Sequence, residues 1–221
     1  MPIAQLPILY SFRRCPYAIR ARLALAYAAR QVILREVVLR DKPQALIDAS
    51  AKATVPVLVL PDGAVIEQSI EIMQWALARS DPEAWLLRNC KKQQHEAQTL
   101  IERNDQQFKQ ALDRYKYADR HPQQSAEAYR REGEVFLKEL EMRLARRAYL
   151  ITDRISIADA AIFPFVRQFA HTDKTWFYHA PYPNLQRWLQ RHLNSSLFNN
   201  AMHKYPAWQP DAEQTLFPVQ V

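Results

Sequence analysis

Between Leu6 and Leu39 the chain changes its hydrophobic period twice, and this alternation restricts its fold more than any other feature. An apolar run from Leu6 to Phe12 gives way to Ile19, Leu23 and Tyr27 at four-residue spacing, then to the β-branched run Val32 to Leu39. Apolar residues four apart lie on one helical face, whereas short apolar runs rich in β-branched residues suit buried strands. Pro16 carries the backbone angle favoured in a first helical turn, so a helix is predicted to begin at Cys15-Pro16. Parallel strands need a crossover of this kind, and its connection is nearly always right-handed. Leu6 to Leu39 therefore reads as one strand-helix-strand unit.

The following residues extend that unit into a small sheet. A short helical piece covers Pro43 to Ala51, and Val57 to Leu60 and Ala64 to Glu67 flank Pro61-Asp62-Gly63, a hairpin signal. Ser69 is predicted to cap a helix that aligns Met73, Ala76 and Leu77 on one face. This order predicts an α/β, thioredoxin-like N-terminal domain over residues 1–80. Ser80-Asp81-Pro82-Glu83 interrupts the pattern as a linker. Beyond it helical periodicity runs through Cys90 to Tyr117 and Ser125 to Arg147. Ser156-Ile157-Ala158-Asp159 then has capping-box spacing before the apolar run Ala160 to Val166. Residues 85–221 are predicted to form an all-α helical bundle domain with no strand. The last fifteen residues, with Trp208 and Phe217, are predicted to be an extended tail that docks to bury its aromatics.

Composition removes several classes of function. With two glycines in 221 residues, Gly63 and Gly133, the chain carries no dinucleotide fingerprint, phosphate-cradling loop or nucleophile elbow. Two cysteines are too few for a disulfide scaffold or Cys-rich zinc site, and the six histidines form no H-E-x-x-H pair, so no metal is expected. No apolar run approaches the ~18 residues of a membrane span, and the N-terminus lacks signal-peptide order. A cytoplasmic protein with no membrane partner is the expectation. The net charge of +7 favours an anionic partner, and the first fifty residues hold eight basic and three acidic side chains. A solvated face on an ordinary basic protein accounts for this bias as well as an anion-binding surface does, and no nucleic-acid partner is expected.

Cys15 is the informative residue. A thiol where a strand hands over to a helix meets unpaired backbone N–H groups and the positive end of the helix dipole, with Arg13, Arg14 and Arg20 near in sequence. These features favour thiolate, the nucleophilic form, for attack on a disulfide sulfur or an electrophilic carbon. Ala18 stands where a C-x-x-C pair has its second thiol, so a mixed disulfide at Cys15 needs an external thiol to resolve it. Cys90, in the helical half with no motif around it, reads as structural.

The run Ser11-Phe12-Arg13-Arg14-Cys15-Pro16-Tyr17-Ala18-Ile19-Arg20-Ala21-Arg22 resembles the active-site segment of cysteine-type glutathione transferases, especially the omega class and its bacterial relatives. Leu39 to Pro43, Val55 to Leu58 and Gln68 to Ile72 follow in the order and spacing of that family, and Ser156 to Asp159 is similar to its helix-capping motif. The resemblance implies glutathione as co-substrate and Cys15 as nucleophile in thiol transfer or reductive deglutathionylation, with dehydroascorbate-type reduction or conjugation as related reactions. It implies that Val55 precedes a cis Pro56 and offers its backbone to the cysteinyl part of glutathione. Ser69 would hold the γ-glutamyl carboxylate, Lys42 the glycyl carboxylate, and Gln68, where many members have Glu, the amino group. Related classes activate glutathione's own sulfur with a tyrosine or serine, and Tyr10 and Ser11 lie close in sequence, but Cys15 at the helix start argues against that mode. A homodimer and a small electrophilic or disulfide second substrate are also implied. Two other readings share the resemblance: a non-catalytic binding protein such as the RNA polymerase-associated stringent-starvation factors, and relatives of intracellular chloride channel proteins.

Overall fold

The computed structural model describes residues 5–218. β1 (Ile8–Ser11), α1 (Pro16–Tyr27) and β2 (Val32–Glu36) form the expected unit, with the strands parallel and Leu9 opposite Leu34. After α2 (Gln44–Ala49), β3 (Val57–Val59) pairs antiparallel with β1, Leu58 opposite Leu9, and with β4 (Val65–Ile66). Gly63 closes the β3–β4 turn at φ +86°, in the left-handed region where a side chain is strained. Leu9, Leu34 and Leu58 thus lie side by side and are buried. α3 (Ser69–Arg79) packs against α1; Ile72, Met73, Ala76 and Leu77 of α3 and Ile19 and Leu23 of α1 are all buried.

The helical unit spans Glu83–Asn194, and its border falls inside the interruption at 80–83. The predicted helix over 90–117 is α4 (Lys91–Arg103) and α5 (Lys109–Lys116), joined by a wide π turn at Asn104–Phe108. α6 (Ala126–Leu144) begins at Ser125, whose side chain accepts from the Ala128 amide. α7 (Ile157–Ala170) carries the capping box: the buried Asp159 accepts from Ser156 N, Ser156 Oγ, Leu150 N and Trp188 Nε1 at 2.7–2.9 Å. α8 (Lys174–His179) and α9 (Pro183–Leu193) complete this unit. Tyr115 is 6% exposed and packs on Phe169 at 5.0 Å, within the helical core.

The chain then returns to its first unit, which the sequence did not indicate. α10 (Ser196–Ala201) packs on α1, and β5 (Thr215–Phe217) pairs antiparallel with β2, Val32 opposite Phe217. The sheet order is β4-β3-β1-β2-β5, and the first compact unit combines residues up to Pro82 with those from Ser195 onward. The expectation of a strand-free helical domain running to residue 221 is corrected accordingly. Three residues, Thr-Leu-Phe before a proline, have too little periodicity to declare a strand, which exists only through its partner β2. The expected docking of the tail is observed: Trp208 donates its amide to Glu36 O at 2.8 Å and lies over the Arg35 guanidinium, while Phe217 is fully buried. The final three residues of that tail lie outside the described residues.

This return explains an unusual helix. α1 is buried almost all round, and Arg20 and Arg22 within it are 0% exposed. Arg22 is held by Glu36, by Ser11 Oγ at 2.9 Å and by the Ala201 carbonyl of α10 at 3.3 Å. A buried guanidinium needs such partners because desolvation penalises the charge, and burial does lower the Arg22 pKa while Glu36 opposes it. Among the described residues no helix is long and apolar enough to cross a membrane, and no cluster of three or more His, Cys, Asp or Glu is placed to hold a metal.

Candidate active site

The first unit contains a cavity of about 450 Å³ at the carboxyl end of β1. That is large enough for a tripeptide-sized ligand by the range of known small-molecule pockets. Its wall is assembled from three chain turns: Cys15 and Tyr17 at the start of α1, Leu39, Lys42 and Ala53 to Pro56 between β2 and β3, and Glu67 to Ser69 entering α3. All five residues singled out in the sequence, Cys15, Lys42, Val55, Gln68 and Ser69, line this one cavity.

Cys15 is the residue preceding α1, in extended backbone, with Pro16 as the first helical residue. It forms no disulfide and is half-buried, packed on the cluster of Tyr10, Val37, Val55 and Val57. Pro16 has no N–H, so the first amides that this helix start presents are those of Tyr17 and Ala18. Sγ lies 3.6 Å from the Val55 carbonyl, an S–H donor contact that favours the protonated thiol and opposes the helix terminus. Val55 is 8% exposed and its bond to Pro56 is cis. Ala18 is fully buried, and Cys90 belongs to the helical unit.

On the opposite wall the expected cap is displaced by one residue. Gln68 precedes α3 and Ser69 is its first helical residue, with no side-chain cap bond, so the first amides of α3 remain open. Ser69 Oγ instead accepts from Arg20 Nη1 at 3.4 Å. Arg20 was expected near the Cys15 thiol; its guanidinium instead sits over the Tyr17 ring, 5.2 Å from the centroid, and reaches across to Ser69. Arg13 likewise turns to Met202 O and gives its amide to Glu36, while Arg14 lies over Phe12.

Two wall residues escaped the sequence reading. Glu67 accepts from Ser50 Oγ and lies 3.5 Å from Lys52 Nζ; the Ser50 hydrogen bond foremost holds its carboxyl below the ordinary range. Its position beside Gln68 was the only available signal. Tyr17, half-buried, follows Cys15-Pro16 directly. Tyr10 and Ser11 are buried, with their hydroxyls accepting from Arg35 and Arg22.

The description "Glutathione S-transferase, N-terminal domain" matches residues 9–84, and "Glutathione S-transferase, C-terminal domain" matches residues 123–191. The chain belongs to the glutathione S-transferase family. No curated protein sequence matches this chain. Among solved structures it is similar to a glutathione S-transferase from Methylobacillus flagellatus with glutathione bound, at 23% identity and TM-score 0.74, covering 88% of this chain and 98% of that one. A glutathione transferase family member from Pseudomonas fluorescens with two glutathiones bound aligns at 16% identity and TM-score 0.76, covering 91% and 94%. A glutathione S-transferase from Rhodospirillum rubrum aligns at 20% identity and TM-score 0.73, again covering 91% and 94%. These likenesses establish the transferase fold, a small mixed sheet with helices followed by a helical domain.

Proposed function

We propose that this chain is a glutathione-dependent thiol transferase of the cysteine type. The observation that carries the reading is the Cys15 thiol at the start of α1, facing one cavity with Lys42, Val55, Gln68 and Ser69. Cys15, as thiolate, attacks the glutathione sulfur of a mixed disulfide; the Sγ–S bond forms, and the former partner leaves as a thiolate that takes a proton from water. A second glutathione thiolate then attacks the glutathione sulfur of the Cys15 disulfide, releasing oxidised glutathione and restoring the Cys15 thiolate. Ionisation ends S–H donation to Val55 O, and the positive end of α1 then stabilises the anion.

The cavity wall supports a tripeptide with two carboxylates. Ser69 and the open amides of α3 suit the γ-glutamyl carboxylate, because a helix N-terminus presents donors and positive potential. Lys42, exposed at the rim, suits the glycyl carboxylate, the Val55 backbone suits the cysteinyl amide, and Gln68 suits the amino group, where the adjacent Glu67 adds the negative charge that Gln68 lacks. Two of the similar structures hold glutathione. The homodimer implied by the family resemblance belongs to the same proposal. The test is glutathione-dependent reduction of a small mixed disulfide by wild type and Cys15→Ala, at equal concentrations of folded protein. Turnover is expected in wild type and is expected to collapse in the variant. No turnover in either would favour a binding protein, and equal turnover would remove Cys15 as nucleophile.

A further inference from the structure

Arg20 is fully buried, so its guanidinium lies behind the cavity wall and touches no ligand in the cavity. Two residues that line the cavity touch it: Tyr17, over whose ring it stacks, and Ser69 through Oγ. We propose that Arg20 is a positioning residue which fixes the Ser69 hydroxyl as a donor into the cavity, so that this subsite takes a carboxylate. The inference rests on the glutathione reading above and names the residue that sets its carboxylate selectivity.

The argument is one of hydrogen-bond inventory. Guanidinium is donor-only, whereas a hydroxyl has one hydrogen and two lone pairs. Where Arg20 Nη1 meets Ser69 Oγ, the serine must accept, and its single hydrogen points elsewhere. A serine inside a helix commonly turns that hydrogen to the carbonyl four residues back. Ser69 is the first residue of α3, so the carbonyl four residues back belongs to Val65 in β4 and not to a helical turn. Ser69 is 6% exposed and its remaining open side is the cavity it lines. The hydroxyl hydrogen and the open amides of α3 then converge on one acceptor, and a carboxylate can accept from all of them at once. Without a donor-only neighbour, the same hydroxyl is free to accept from an ammonium or amide.

The test compares dissociation constants, by calorimetry, for glutathione and for cysteinylglycine, the same thiol peptide lacking the γ-glutamyl group. Arg20→Lys keeps a buried donor-only cation and is expected to retain glutathione affinity within about threefold. Arg20→Gln offers an amide oxygen that can accept the Ser69 hydrogen, and is expected to weaken glutathione roughly tenfold, the scale of one hydrogen bond to a charged group. Cysteinylglycine binding is expected to be unchanged in both variants, as is the rate of Cys15 alkylation. In a Ser69→Ala background, Arg20→Gln is expected to have no further effect on glutathione. Equal weakening of both peptides by Arg20→Gln, or additivity with Ser69→Ala, would overturn the inference and leave the glutathione site standing. Failure of the wild type to bind glutathione would remove both together.

Discussion

At the scale of single residues, buried ionisable groups decide how this protein responds to its environment. Cys15 sits between two opposed influences, the Val55 carbonyl that accepts its S–H and the helix start that favours its anion. At His192 burial and, less strongly, the Arg191 charge act in the same direction. The residue is 7% exposed, stacked on Phe163 and perpendicular to Trp188, both at 4.8 Å, and burial lowers its pKa to about 3. Because the folded value lies below the ordinary 6.5, the unfolded chain takes up the proton first as pH falls. The neutral imidazole's contribution is therefore intact above about pH 6.5 and is lost progressively toward pH 3, at about 1.4 kcal/mol per pH unit. Denaturant unfolding between pH 6 and 4 is expected to show wild type losing stability more steeply than His192→Gln by roughly that slope. Parallel pH profiles would contradict the assignment. Much of the candidate site was legible at this scale: Cys15 from its strand-to-helix position, and Ser69 from its place before an apolar helical pattern. Arg20 and Glu67 were not, because no sequence pattern states that an arginine will be fully buried or that a glutamate will face a cavity.

Among the elements, α6 and α7 meet at a contact that leaves no room for a side chain. A Cβ on Gly133 would lie 2.4 Å from Phe169 Cε2. The Phe169 ring cannot yield easily, being packed on Phe108 at 5.3 Å, Tyr115 at 5.0 Å and Trp176 at 6.1 Å. Alanine in place of a mid-helix glycine gains up to about 1 kcal/mol in propensity, whereas overpacking a core costs about 1–3 kcal/mol. Gly133→Ala is expected to lower stability by about 1–2 kcal/mol, read as a lower unfolding midpoint; a raised midpoint would mean that the contact relaxes. The helices themselves were legible because periodicity persists over the 13 residues of α4 and the 19 of α6, and α5 continues the pattern of α4. The π turn at 104–108 was not, since it leaves the apolar spacing nearly intact.

Across the whole molecule, the order of the chain and the order of its units differ. The thioredoxin-like unit is interrupted by the helical unit and completed by residues from Ser195 onward. Phe217 fills the core beside β2, and the tail's Trp208 lies 4.2 Å above the Arg35 guanidinium and edge-on to Tyr10, a neighbour of Cys15 and Val55 in the same apolar cluster. Phe217→Ala is expected to cost about 3–5 kcal/mol, as for other fully buried phenylalanines. A loss below about 1 kcal/mol in chemical denaturation would mean that the tail is an appendage rather than part of the fold. The sequence foretold that the tail hides its aromatics, but not where, because a docking partner 180 residues away leaves no local period. The β1–α1–β2 unit needed no such partner to be read, since its strands and crossover are contiguous.

The central claim, that Cys15 carries glutathione through a covalent disulfide, is tested most directly by trapping that disulfide. Protein exposed to a glutathionyl mixed disulfide, then digested and mapped by mass spectrometry, is expected to carry one glutathione, on Cys15, and to lose it when fresh glutathione is added. Modification at Cys90 alone, or an adduct on Cys15 that free glutathione does not discharge, would contradict the account.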